Sequence, residues 1–239
     1  MATAGVAAGL GALPAGRTLP ADAAGGPAPG AVILFQGDSI TDCGRDRAVA
    51  DPNRADGFGT GYPLLIAARL LSEHPDAGLS IFNRGVSGNM VPDLAARWEA
   101  DCLALRPDVL GILIGVNDFW RTVDSGYHGT VADYEREYDA LLARTREALP
   151  RARLIVLEPF ALRSAGGAVT DAWFPEFDQR RAAAARVAHR AGATFVPLHG
   201  MFDQLVRRAS AAYWSADGVH PTIAGHGAIA REWLKRVGW

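Results

Sequence analysis

A chain of 239 residues, 49% of them hydrophobic, can bury one sizeable core, and its length allows one large domain or two small ones. Its formal charge of −2 sets 24 Lys and Arg against 26 Asp and Glu, with the cations spread rather than clustered, which argues against nucleic acid or an anionic membrane as the main partner. No apolar run approaches the roughly 20 residues that span a bilayer, so no membrane partner is expected.

Ala, Gly and Pro fill 21 of the first 30 positions, and Arg17 and Asp22 carry the only charges there. So little can pack that residues 1–30 are expected to be a disordered leader or linker before one folded domain, 31–239. Val6 to Leu13 resembles a short signal-peptide core, and Ala21-Asp22-Ala23 has the small-x-small form of a cleavage site. No Lys or Arg stands ahead of that core, so a leader that is incomplete or absent is expected; the balance leans to export over the cytoplasm.

The first strand is Val32-Ile33-Leu34-Phe35, four apolar residues in a row, and Gly37-Asp38-Ser39 reads as the turn leaving its carboxyl end. Residues 43–59, rich in Arg, Asp and Gly, form a long polar loop, the kind that shapes a binding site. Thr60-Gly61-Tyr62-Pro63 opens a helix with Leu64, Leu65, Ala68 and Leu71 on its stripe. Leu79 to Asn83 is a second strand, followed by a glycine-containing loop, Arg84 to Asn89, and a helix from about Val91 to Leu105. Asp108 to Gly115 is the strongest buried-strand signal and runs into Val116-Asn117-Asp118. Then come a helix over Tyr134 to Leu149, a strand at Leu154 to Leu157, a helix near Glu176 to Arg190, a fifth strand at Thr194 to Leu198 and a last helix from about Pro221 to Val237. Strand and helix patterns alternate, which implies a three-layer α/β/α sandwich on a central parallel sheet of about five strands.

In such a sheet ligands bind beyond the carboxyl ends of the strands, which is where Ser39 falls. Taken alone, Ser39 is better read as an ordinary helix N-cap. The second clue is Asp217-Gly218-Val219-His220-Pro221 near the far end. An Asp three residues before a His can hold one imidazole nitrogen while the other faces outward, which is how a catalytic base keeps its tautomer. His220 alone of the six histidines has that setting; His74, His128, His189, His199 and His226 read as structural or surface residues. No further ligand stands at metal spacing beside Asp217 and His220, so neither metal nor cofactor is expected. Cys43 and Cys102 are too few for a disulfide scaffold; they read as two unpaired residues, with a single bridge left open.

Four blocks occur in order: Gly37-Asp38-Ser39, Gly88 after the second strand, Gly115-Val116-Asn117-Asp118 after the third, and Asp217-Gly218-Val219-His220-Pro221. Together they resemble the SGNH hydrolases, also called the GDSL esterase/lipase family, whose fold is flavodoxin-like. The resemblance implies Ser39 as nucleophile, His220 as base and then acid, and Asp217 as the group that orients it. It also implies an oxyanion hole made of the Ser39 and Gly88 N–H groups and the Asn117 amide. A hydroxyl needs a base to attack and a tetrahedral oxyanion needs fixed donors, so the chemistry asks for the same parts. No G-x-S-x-G stretch occurs, which disfavours an α/β-hydrolase.

Longer strings, among them Gly37 to Arg45, Gly85 to Asn89, Asp93 to Trp98, Ile114 to Asp118 with Trp120-Arg121, and Gly225-His226, look like the bacterial acetylxylan esterase branch. The implied substrate is an acetylated carbohydrate, xylan or xylo-oligosaccharides first. Aromatic residues near the blocks, Phe58, Trp120, Tyr127, Trp173 and Trp214, offer flat faces suited to sugar rings, or ordinary packing. Arg45 and Arg121 read as hydroxyl donors or surface ion pairs. Candidate substrate contacts are Asp38, Phe58, Trp120, Arg121 and Trp214. The rivals are a broad lipase or thioesterase of the same family and a non-catalytic carbohydrate-binding protein; a homo-oligomer is compatible with either.

Overall fold

The computed structural model describes residues 26–163 and 167–239. The signal-like and cleavage-like stretches therefore lie outside the described residues. Within residues 26–30, Pro27 is buried and the Gly30 N–H donates to the Ala77 carbonyl at 2.5 Å.

Five strands, β1 (Val32–Gly37), β2 (Ser80–Asn83), β3 (Val109–Leu113), β4 (Arg153–Leu157) and β5 (Thr194–Val196), form one parallel sheet in the order β2-β1-β3-β4-β5. Ile33 of β1 faces Ile81 of β2 on one side and Val109 of β3 on the other. The helices of the described chain are α1 (Ser39–Asp42), α2 (Tyr62–Glu73), α3 (Val91–Asp101), α4 (Val116–Asp124), α5 (Val131–Ala148), α6 (Glu176–Arg190), α7 (Leu198–Leu205), α8 (Ala211–Trp214) and α9 (Ile223–Val237).

The period-2 pleat divides each apolar strand between two cores. Ile33, Phe35, Leu113, Ile155 and Leu157 pack with Ile66 and Leu70 of α2 and Ile229 and Trp233 of α9. Leu34, Leu110, Ile112, Leu154 and Val156 pack with Leu94 and Trp98 of α3, Tyr138 and Leu142 of α5, and Ala184 and Val187 of α6. Each aliphatic side chain buried in this way contributes about 1.5–3 kcal/mol, which is why these strands read as unbroken apolar runs.

Among the differences from expectation, one concerns the buried face of a helix and two the bounds of elements. On α2 the buried side is Tyr62, Pro63, Ile66, Ala67 and Leu70, whereas Leu65 is 36% exposed. Tyr62, whose hydroxyl meets Thr41 Oγ1 at 3.0 Å inside the core, sets a rotation that the leucine spacing does not reveal. α5 starts a turn before Tyr134 because Thr130 and Asp133 cap it reciprocally, with bonds of 3.1 and 3.0 Å. β5 stops at Val196, where Pro197 follows and α7 begins one residue later at Leu198.

The chain leaves β1 to one side for β2 and then crosses to β3 on the other, so β1 marks the switch point where open α/β sheets place their ligands. Since β2, β1 and β3 are neighbours, the segments that follow them bring Gly88, Ser39 and Asn117 to one edge.

Candidate active site

Gly37 ends β1 where it crowds β3: a Cβ there would stand 2.3 Å from the Leu113 carbonyl oxygen. The chain then turns directly into α1. Asp38 caps that helix, its Oδ1 accepting from the Ile40 N–H at 3.0 Å, so Ser39 is free of the capping duty that its type suggests.

His220 arrives from the turn before α9. Its Nε2 lies 2.9 Å from Ser39 Oγ, and its Nδ1 lies 2.6 Å from Asp217 Oδ2. The other carboxylate oxygen of Asp217 accepts from the backbone N–H groups of Val219 at 2.8 Å and His220 at 2.7 Å. Burial pushes the Asp217 carboxyl up, but the His220 ring and these backbone donors outweigh it and hold the group below its ordinary value. With Asp217 accepting from Nδ1–H, Nε2 is left as an acceptor facing the serine hydroxyl. The arrangement can therefore take a proton from Ser39 and return it to a leaving group.

Gly88 has φ +82°, a backbone region open to glycine, and Arg121 Nη2 would stand 3.1 Å from any Cβ there. Its carbonyl accepts from Arg121 at 2.7 Å. Among the described residues, no acceptor pairs with the N–H of Ser39 or of Gly88. Asn117, in the first turn of α4, donates from Nδ2 to the Asn89 carbonyl at 3.0 Å, which leaves its second amide hydrogen unspent. Asp118 beside it is buried and accepts from the Val91 N–H, fixing α4 to α3; burial pushes its carboxyl up to about 7.

The candidate substrate contacts separate into two groups. The Trp120 ring lies 6.1 Å from that of His220, and Arg121 clamps the Gly88 loop, so both border the site. Asp38, Phe58 and Trp214 are instead buried. Asp38 is 1% exposed, with its carboxyl pushed up to about 7 by burial against the pull of the Ile40 N–H and the His220 charge. Phe58 is 3% exposed in the main core, and Trp214 is buried with Nε1 donating to the Leu205 carbonyl at 3.1 Å. Proximity in sequence to a motif does not bring a large side chain to the surface, and none of these three presents a face to substrate. Trp173 is likewise buried, and Arg45 spends its Nε on the Gly85 carbonyl at 2.8 Å.

The segment 35–228 matches the GDSL-like lipase/acylhydrolase family model. The chain belongs to this family. It is 35% identical over 212 residues to an acetylxylan esterase of Geobacillus stearothermophilus, covering 88% of this chain and 95% of that one. The crystal structure of Axe2, an acetylxylan esterase from the same organism, superposes with a TM-score of 0.80 at 33% identity, over 89% of this chain and 96% of that one. A protein of Parabacteroides merdae named for its likeness to GDSL lipases superposes with a TM-score of 0.86 at 47% identity, over 88% and 97% of the two chains. This GDSL-family chain is thus a carboxylic ester hydrolase on the SGNH α/β fold.

Two bracing residues carry no assignment from sequence. Asp42 Oδ2 accepts from the Ser87 N–H at 2.8 Å, the Ser87 hydroxyl at 3.0 Å and Arg47 at 2.5 Å. Burial raises its carboxyl, but the Arg47 and Ser87 bonds prevail and lower it. Arg97 reaches from α3 to Asn89 Oδ1 and the Arg84 carbonyl, both at 2.8 Å. Each holds the Gly88 loop through partners remote in sequence, and no motif spacing signals such a pairing. His226 resolves as a core residue: Nδ1 accepts from the Tyr62 N–H at 3.2 Å, and burial, with the His220 charge, depresses it to about 4. Cys43 and Cys102 are unpaired.

Proposed function

We propose that this esterase removes O-acetyl groups from a carbohydrate, acetylated xylan or xylo-oligosaccharides first, through an acetyl-enzyme on Ser39. The observation that carries the chemistry is the line Ser39 Oγ, His220 Nε2, His220 Nδ1, Asp217 Oδ2, with contacts of 2.9 and 2.6 Å. Ser39 Oγ attacks the acetyl carbonyl as His220 takes its proton. The negative charge on the former carbonyl oxygen is met by the N–H groups of Ser39 and Gly88 and by the Asn117 amide. Collapse breaks the bond to the sugar oxygen, which leaves as the alcohol with the proton from His220. Water, deprotonated in turn by His220, then attacks the acetyl-serine and releases acetate.

The choice of substrate is supported by the likeness to acetylxylan esterases and by the flat Trp120 ring beside a half-exposed His220. Catalytic mutants of Axe2 replace a serine in one structure and an aspartate in another, the residue types assigned here to attack and orientation. Acetate release from acetylated xylan, compared with turnover of acetyl and octanoyl p-nitrophenyl esters, tests the reading. A carbohydrate deacetylase releases acetate from the polymer and loses activity steeply with acyl length; equal or better turnover of the octanoyl ester makes the chain a broad acyl hydrolase instead. Asn117→Ala is expected to lower kcat on the order of 10²–10³ with little change in KM. An unchanged kcat removes its amide from the oxyanion hole.

A further inference from the structure

Helices that return antiparallel to parallel strands begin at the edge where those strands end, so the first turns of α5 and α6 stand at the same edge as Ser39. A shallow, open groove with room of about 710 Å³ lies between them. That is within the range of about 300–1,000 Å³ common for small-molecule sites. Thr122 at the end of α4, Tyr127 and His128 in the loop that follows, and Pro175, Glu176 and Gln179 at the start of α6 line it.

Packed rings, that of Trp173 buried, run beneath the surface between this groove and the catalytic centre. The Trp120 ring, 6.1 Å from His220, packs at 5.6 Å on Trp173, and the chain continues from Trp173 through Phe174 to Pro175 in the groove. The walls are held in place. Arg180, fully buried, donates from Nη2 to the Gly129 carbonyl at 2.7 Å and pairs through Nη1 with Glu176 at 2.5 Å, fastening the loop to α6. The Tyr127 N–H donates to the Arg121 carbonyl at 3.0 Å, and the Tyr127 ring lies so close over Gly129 that a Cβ there would be 2.3 Å from it. An aromatic face among imidazole, carboxylate, amide and hydroxyl groups suits a sugar, whose ring carries an apolar face and a polar rim; an acyl chain has no use for the polar side chains.

We propose that this groove is a glycan subsite, which takes the sugar units flanking the acetylated unit at Ser39, with Tyr127 as the stacking face and His128 and Gln179 as partners for hydroxyl groups. The proposal rests on the carbohydrate reading above. It is tested by steady-state kinetics of the wild-type chain, Tyr127→Ala and the exposed-site variant Gln179→Ala on acetylated xylo-oligosaccharides from disaccharide to hexasaccharide, with p-nitrophenyl acetate as the reference too short to reach the groove.

The wild-type KM falls as the oligosaccharide lengthens. In Tyr127→Ala the ratio of the hexasaccharide KM to the p-nitrophenyl acetate KM rises about tenfold, and in Gln179→Ala it rises by a smaller factor, while kcat on the glycan holds. A wild-type KM independent of length, or a ratio unchanged in both variants, overturns the subsite. Turnover of p-nitrophenyl acetate with no acetylated glycan accepted at any length overturns the carbohydrate reading as well, which separates the two failures.

Discussion

Ser39→Ala is expected to abolish turnover of p-nitrophenyl acetate, with a loss on the order of 10⁶ in kcat. The size of the loss follows from what the hydroxyl does: it forms the bond to carbon, and the imidazole and the oxyanion donors act only on the species that this bond creates. The residual rate reflects those donors and bound water alone, on the order of 10³–10⁴ above the uncatalysed reaction. The fold should survive the change. Among the described residues the only partner of Ser39 Oγ is His220, and the helix that follows is capped by Asp38. An unchanged melting temperature beside lost turnover is the expected pair of results; normal turnover removes Ser39 from the mechanism.

Asp217→Asn is expected to cost on the order of 10⁴ in kcat. The carboxylate accepts at both oxygens: Oδ2 from the His220 ring, Oδ1 from two backbone N–H groups of its own turn. An asparagine can keep Oδ1 on the backbone, which preserves the turn. Its amide then donates towards Nδ1 and selects the tautomer with a hydrogen on Nε2, so the ring faces Ser39 as a donor and cannot take its proton. A stability change accompanies the kinetic one. Because the folded state holds the Asp217 carboxyl below its ordinary value of 3.8, the native carboxylate contributes stability above that value and loses it as pH falls through the lowered one. Melting temperatures of the wild-type chain and the variant should differ at neutral pH and converge in acid. A kcat within a few-fold of wild type would show that His220 is oriented by something else.

Of the fold, the strands were the most legible part, because a strand covered on both faces is mostly apolar, and Val32 to Phe35 and Val109 to Ile114 are unbroken runs of that kind. The helices of the outer layers were legible where one face is apolar over three or more turns, as in α5 and α6. They were not where length or composition hides the face. α4 has nine residues and buries Asp118 beside Phe119; α7 and α8 are short, and their anchors, Phe202 and Trp214, stand among polar residues. In α2 the leucines marked a helix but not its buried side, which depends on Tyr62 meeting Thr41 across the core.

The site divides along the same line. Ser39, Gly88, Asn117, Asp217 and His220 stand at strand ends or in turns that sequence marks with glycine and proline, and the sheet order brings them together. The bracing by Asp42, Arg97 and Arg121 was hidden because it runs between side chains and backbone atoms of segments far apart in the chain. Asp38, Phe58 and Trp214 misled because residue type announces what a side chain can contact, while burial decides what it does contact.

The most direct test of the catalytic assignment is labelling of the intact chain with a fluorophosphonate, followed by mass spectrometry of the digested protein. One adduct is expected, on the peptide that contains Ser39, absent from Ser39→Ala and formed far more slowly in Asp217→Asn. An adduct on a different serine, or a Ser39→Ala chain labelled as fast as wild type, would contradict the assignment.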